Sequence, residues 1–198
     1  MLTLAHLSDV HLAPMPRLRL QHARLKRGLG LLNWQRKRRA VHRLDVVATL
    51  LADLALQRPD HIAVTGDLVN IGLPEEHANA LRWLEALGAP DTVSVVPGNH
   101  DIYVRLHADP GVERWGAFMT SDVWGRSLAG GEAGFPYVRR IGPAALIGLN
   151  SAVPMPPFVA AGRLGPEQLA RLSRVLQEIR AAGLARGSTF DRIKDHGG

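Results

Sequence analysis

Apolar residues along this chain change period in a regular order. Short apolar runs at 2–7, 61–65 and 92–96 read as strands, each followed within two residues by Gly or Asp. Val41, Leu44, Val47, Leu51 and Leu54 recur at helical spacing, which predicts a helix over 36–57 ended by Pro59. A shorter helix is expected just before it. Pro74 with Glu75 and Glu76 in the first turn opens another helix that runs to Leu87. The stretch around Trp115 and Trp124 reads as short helix and loop. Segments 136–140 and 144–149 form a strand pair turned at Gly142-Pro143, and Pro166-Glu167 starts an amphipathic helix to about Ala182. Strands alternating with helices predict an α/β fold.

Composition adds little until charge is placed along the chain. With 198 residues, 46% hydrophobic and 21% charged, this is one globular domain with room for a sizeable core. There are no cysteines, which removes disulfides, thiolate metal sites and Cys nucleophiles and fits a reducing compartment. No basic leader precedes a long apolar stretch, and no apolar run reaches the roughly 18 residues that span a bilayer. A cytoplasmic location is expected. Net charge is +6, yet residues 17–43 carry ten Lys/Arg and no acid, leaving the remainder at −4. Leu29, Leu31, Leu32 and Trp34 interrupt that basic insert. One reading is an exposed helical pair whose leucines pack on the body. The others are contact with an anionic lipid surface, an anionic substrate or stacked bases.

The candidate chemistry lies at the strand ends: Asp9-Val10-His11, then Gly66-Asp67-Leu68-Val69-Asn70, then Gly98-Asn99-His100-Asp101. Asp-x-His alone is unremarkable in a chain with this many Asp and His. Gly-Asn-His-Asp is not, arising by chance on the order of once in a thousand chains of this composition. Ends of parallel strands are where open α/β sheets place ligands. Carboxylates draw in a divalent cation, while imidazole and amide ligands add no negative charge, so the site stays positive enough for phosphate. Such mixed O/N donors suit Mn, Fe, Zn or Co. Gly66 and Gly98 would let the backbone turn sharply there.

With these three motifs in order, residues 1 to about 180 resemble the calcineurin-like metallophosphoesterases. The resemblance implies a four-layer αββα sandwich and two divalent ions, Mn, Fe or Zn. Asp9, His11 and Asp67 would hold one ion, with Asp67 bridging to a second held by Asn99. His100 would assist the leaving group, with Asp101 and Asn70 as further catalytic residues. In the phosphatase branch an Asp stands where this chain has Asn70, so an amide oxygen is expected to accept the imidazole N–H in its place. Two later histidine motifs of the family are not found: the histidines after His100 are His107 and His196, in other contexts. The domain is therefore read as 1–182, with the basic insert 17–43 and its C-terminal strands missing. Residues 183–198 form an atypical tail, as from a gene fragment or frameshift.

The resemblance implies an enzyme that hydrolyses phosphoester bonds of small molecules, by in-line attack of a metal-activated water. Phosphodiester, phosphomonoester and pyrophosphate substrates all stay open. The Leu-Ser-Asp-Val-His opening is nearest the cyclic-nucleotide and nucleotide-lipid branches. Alternatives are a nuclease of the same superfamily, or a non-catalytic relic holding anions or a membrane through 17–43. Nucleic acid is the weaker partner, and the oligomeric state is not legible. Elsewhere, His6 is expected as a packed or supporting residue, His22 and His42 as surface, His61 and His77 as structural, and Trp83 as core. Asn150-Ser151 either lines the site or forms an ordinary turn.

Overall fold

The computed structural model describes residues 2–17, 25–34, 44–104, 109–129, 134–156, 159, 161–183 and 185–188. Strands β1 (Leu4–Leu7), β2 (His61–Thr65) and β3 (Val93–Val96) form a parallel sheet in that order. Strands β4 (Tyr137–Ile141) and β5 (Ala144–Gly148) are an antiparallel pair, and β6 (Ala185–Ser188) joins β5 in parallel. The tail thus supplies a strand where the sequence reading saw none. Its residues 189–198, including His196, lie outside the described residues, as does His107.

Alternation of side chains along the strands sorts the core into three layers of contact. Ile62 and Val64 of β2, with Val93 and Val95 of β3, face Ala80 and Leu84 of helix α3 (Pro74–Leu87) and Trp115 and Phe118 of the 3-10 helix Gly111–Met119. Helix α2 (Leu44–Gln57) adds Val47 and Leu54 to this side, and Trp83 packs here as expected. On the far side of the molecule Val138, Ala145 and Ile147 meet Val175 and Ile179 of helix α5 (Pro166–Ala181), with Trp124 and Leu128 of α4 (Val123–Leu128). The residues between them in sequence, Ala63, Val96, Tyr137 and Leu146, form a third cluster that joins the two sheets. Helix, sheet, sheet, helix is the four-layer order expected.

Two polar side chains lock the sheets together. The Tyr137 hydroxyl donates to the Val95 carbonyl (2.9 Å). Arg139, buried at 5% exposure, donates to the carbonyls of Thr120 (2.8 Å), Ala117 (2.9 Å), Val93 (2.7 Å) and Pro90. A buried guanidinium satisfied by carbonyl oxygens costs less than one left unpaired. His6 is exposed on β1 rather than packed, its ring 2.8 Å from the Thr65 hydroxyl at the end of β2, which leaves the supporting place of the two expected.

Helix α2 starts at Leu44, and residues 35–43 of the expected 36–57 helix lie outside the described residues. Of the basic insert, Arg17 and residues 25–34 are described. Residues 25–33 form helix α1 (Leu25–Asn33). His22 and His42 are outside.

His61 opens β2 with its ring against the Ser94 hydroxyl (2.8 Å). Burial, and next the Arg139 charge, push its imidazole down from 6.5 to about 4. Between those values the unfolded chain binds the proton and the folded chain does not. Stability is therefore lost as pH falls through this window. Urea midpoints recorded from pH 7 to pH 4.5 should drop less steeply for His61→Gln than for the wild type. Parallel curves would show that His61 does not set this acid limb.

Candidate metal centre

Past their last paired residues, β1 and β2 keep running side by side. The N–H groups of Asp9, His11 and Leu12 donate to the carbonyls of Gly66 (3.2 Å), Asp67 (2.9 Å) and Leu68 (2.9 Å). The price is backbone strain. Asp9, His11 and Asp67 have φ of 56°, 42° and 55°, a region L-residues avoid. Among the described non-glycine residues only Arg58 shares it. Strain of about 1–3 kcal/mol per residue persists only where surrounding structure over-determines it.

Two buried carboxylates do that. Asp101, 3% exposed, accepts from the N–H groups of Asp67 (2.8 Å), Leu68 (2.9 Å), Val69 (3.0 Å) and Gly98 (2.8 Å). Glu76, 4% exposed, accepts from Asn70 (2.8 Å), Ile71 (3.2 Å) and Leu73 (2.9 Å). The loop after β2 is thus wrapped around two buried carboxyl groups. Burial pushes the Asp101 carboxyl up to about 8 and the neighbouring Asp67 charge adds to this, while the N–H groups of Gly98, Val69 and Asp67 pull it back. Glycine is required where the strand ends meet. A Cβ on Gly98 would overlap the Asp67 carboxylate and lie 2.6 Å from its backbone nitrogen. Gly66, at φ +73°, would drive a Cβ into Gly98. So Gly66 serves the turn as expected, whereas Gly98 serves close approach.

On this scaffold, one nitrogen each of His11 and His100 and one oxygen of Asp67 lie within 4.8 Å of one another. His11 Nε2 is 4.0 Å from Asp67 Oδ2. Its Nδ1–H donates to the Val69 carbonyl (3.0 Å), and the His100 Nδ1–H donates to the Asn70 carbonyl (2.6 Å). A carbonyl can only accept, so both imidazoles keep their lone pair on Nε2 in the neutral form. The backbone N–H of His100 donates to Asp67 Oδ1 (2.9 Å), and the two rings meet edge to face at 4.9 Å.

Other expected site residues take varied places. The Asp9 carboxylate accepts from the Ser8 hydroxyl and is not in the converging trio. Asn99 sits half-buried in the turn between Gly98 and His100. Asp101 spends both oxygens on the backbone. Asn70 serves His100 through its main-chain carbonyl rather than its amide. The amide instead donates to Leu12 O (3.2 Å), tying the first loop to the second. Its Oδ1 is buried with no hydrogen-bond partner among the described residues. Asn150 and Ser151 belong to a turn: Asn150 Oδ1 accepts from the Ala152 N–H (2.9 Å) and Ser151 O from the Arg163 N–H (2.7 Å).

Sequence reasoning missed the roles of Glu76, Arg27 and Tyr103, whereas His77 is structural as expected. Glu76 had a usable signal, a carboxylate three residues past a helix-starting position, which reaches back to loop N–H groups. His77 bridges the carbonyls of Leu73 and Asp101 (both 2.9 Å), a long-range contact with no local mark.

The sequence profile of the calcineurin-like phosphoesterases matches residues 2–152. The chain belongs to that family. One 45-residue stretch is 49% identical to the glycerophosphodiester phosphodiesterase GpdQ of Enterobacter lignolyticus (strain SCF1). That stretch is 23% of this chain and spans only 16% of the GpdQ relative. The family uses two metal ions, and the donors here fit a divalent cation. His11, its Nδ1–H fixed by a carbonyl and its Nε2 turned toward the Asp67 carboxylate, has the usual arrangement of a supported ligand, and His100 lies beside the pair.

The two aspartates should separate cleanly. Asp67→Asn should fold with its thermal midpoint near wild type and lose bound metal. Asp101→Asn turns an amide N–H₂ toward N–H donors and should lose about 1–3 kcal/mol for each donor left unpaired. Melts of both variants, with metal content by mass spectrometry, would check this. A stable, metal-loaded Asp101→Asn would contradict the role given to Asp101.

Proposed function

We propose that this phosphoesterase-family chain is a metal-dependent phosphodiesterase of small molecules. The carrying observation is the convergence of His11, Asp67 and His100 at the carboxyl ends of parallel strands. The stretch shared with GpdQ, a protein named for glycerophosphodiester hydrolysis, favours a diester over a monoester. Cyclic-nucleotide diesters carry the same kind of linkage, nucleotide-lipid substrates carry a pyrophosphate bond instead, and both belong to the substrates to be compared.

In this reading His11 and Asp67 hold an ion, with Asp9 and Asn99 completing the ligands on either side, and Asp67 is shared with a second ion. Manganese, iron or zinc would supply charge for the phosphate oxygens and lower the pKa of water at the site. With its Nδ1–H anchored on Asn70 O the His100 ring cannot swing away, and in its doubly protonated form it gives the Nε2 proton to the leaving oxygen. Positive-φ backbone at Asp9, His11 and Asp67 aims these side chains before substrate arrives. The reading places the protein in the cytoplasm, which the absence of cysteine suits. It also gives the basic insert 17–43 to an anionic lipid surface.

Metal-free protein reloaded with manganese, iron or zinc should hydrolyse bis-p-nitrophenyl phosphate and a glycerophosphodiester faster than p-nitrophenyl phosphate. Asp67→Asn should abolish turnover, since a shared carboxylate serves both ions. Full turnover in Asp67→Asn, or a preference for the monoester, would overturn the proposal.

A further inference from the structure

Helix α1 of the basic insert does not sit apart from the site. Arg27 is 3% exposed, and its guanidinium donates to the carbonyls of Ile71 (3.3 Å) and Gly72 (2.5 Å). These residues directly follow Asn70, whose carbonyl anchors His100 Nδ1. One turn on, Gly30 faces Tyr103. A Cβ there would lie 2.8 Å from the Tyr103 hydroxyl and 2.9 Å from Ile71 Cγ2. On its other side the Tyr103 ring lies over His100, with centroids 5.6 Å apart and planes 12° from parallel. Gly72, at φ +68°, completes the slot, since a Cβ there would come 3.2 Å from Tyr103 Cβ.

We propose that α1 is a positioning element for His100, acting through Arg27 on the loop that anchors its Nδ1–H and through Gly30 and Tyr103 on the face of its ring. The two routes are independent and meet at one imidazole. Arg27 neutralises and fixes the carbonyl run 71–72. Tyr103 fills the space into which the His100 ring would otherwise rotate. An arginine in a run of ten bases is thereby an internal pin rather than a surface charge.

The first test needs no metal and no substrate. In metal-free protein, the His100 Nδ1–H held on a carbonyl should give a slowly exchanging imidazole proton in ¹H–¹⁵N spectra. That signal should survive in Tyr103→Phe, which keeps the stacked ring. It should be lost or strongly shifted in Tyr103→Leu and in Arg27→Met. Should Tyr103→Leu not fold, Gly30→Ala reads the same slot by pushing the ring outward. Adding Tyr103→Phe to Gly30→Ala removes the atom at 2.8 Å and should restore the signal in part.

The second test rests on the leaving-group role given to His100 above. Tyr103→Leu should slow hydrolysis of an alkyl diester by about 100-fold, as misplacing a reacting group by an ångström does. It should slow the p-nitrophenyl diester far less, because that leaving group needs no proton. KM and bound metal should stay near wild type. An unchanged His100 signal in both Tyr103→Leu and Arg27→Met would overturn the inference, as would equal slowing of both diesters. A wild-type chain with the His100 signal but no turnover would instead remove the phosphodiesterase reading and leave the positioning of His100 standing.

Discussion

One buried carboxylate organises this site. Asp101 gathers four backbone N–H groups from two separate strand ends, three from the loop after β2 and one from the loop after β3. That carboxyl group fixes the backbone at Asp67, and Asp67 in turn receives the backbone N–H of His100. Glu76 continues the same device through three further N–H groups. A loop whose donors converge inward must bend the wrong way for L-residues, and the positive φ at Asp67 is the consequence. The left-handed backbone at Asp9 and His11 follows because the first loop pairs with the second.

This arrangement sets the electrostatics as well. Burial, and next the Asp67 charge on the neighbouring loop, drive the Asp101 carboxyl up to about 8. A divalent cation beside Asp67 would offset that repulsion.

Much of the fold was legible because the strands are short, apolar and bounded by Gly and Pro. Helix α3 begins at Pro74 and ends at Leu87, as its start signal and spacing required. The strands and α5 came within one or two residues of their observed limits. The three motifs were also readable, since their residue types are rare in that order. What was not readable is who holds the motifs in place. Asp101 looked like part of the chemistry, but it is committed to main-chain donors. Asn70 looked like a side-chain acceptor, yet its carbonyl does that work. Arg27 and Tyr103 are brought to His100 by packing between distant segments, and nothing in their neighbourhoods announces it. The tail looked shapeless because four residues with no apolar run can still pair when β5 offers an open edge.

Two buried carboxyl groups cage the loop that carries Asp67 and anchors the rings of His11 and His100. Amide hydrogen exchange of the metal-free protein tests it most directly. The N–H groups of Asp67, Leu68, Val69, Asn70, Ile71, Leu73 and Gly98 should exchange as slowly as those of Val64 in the middle of β2, although they lie outside any strand or helix. Exchange of these seven amides at the rate of an unprotected loop would contradict the account.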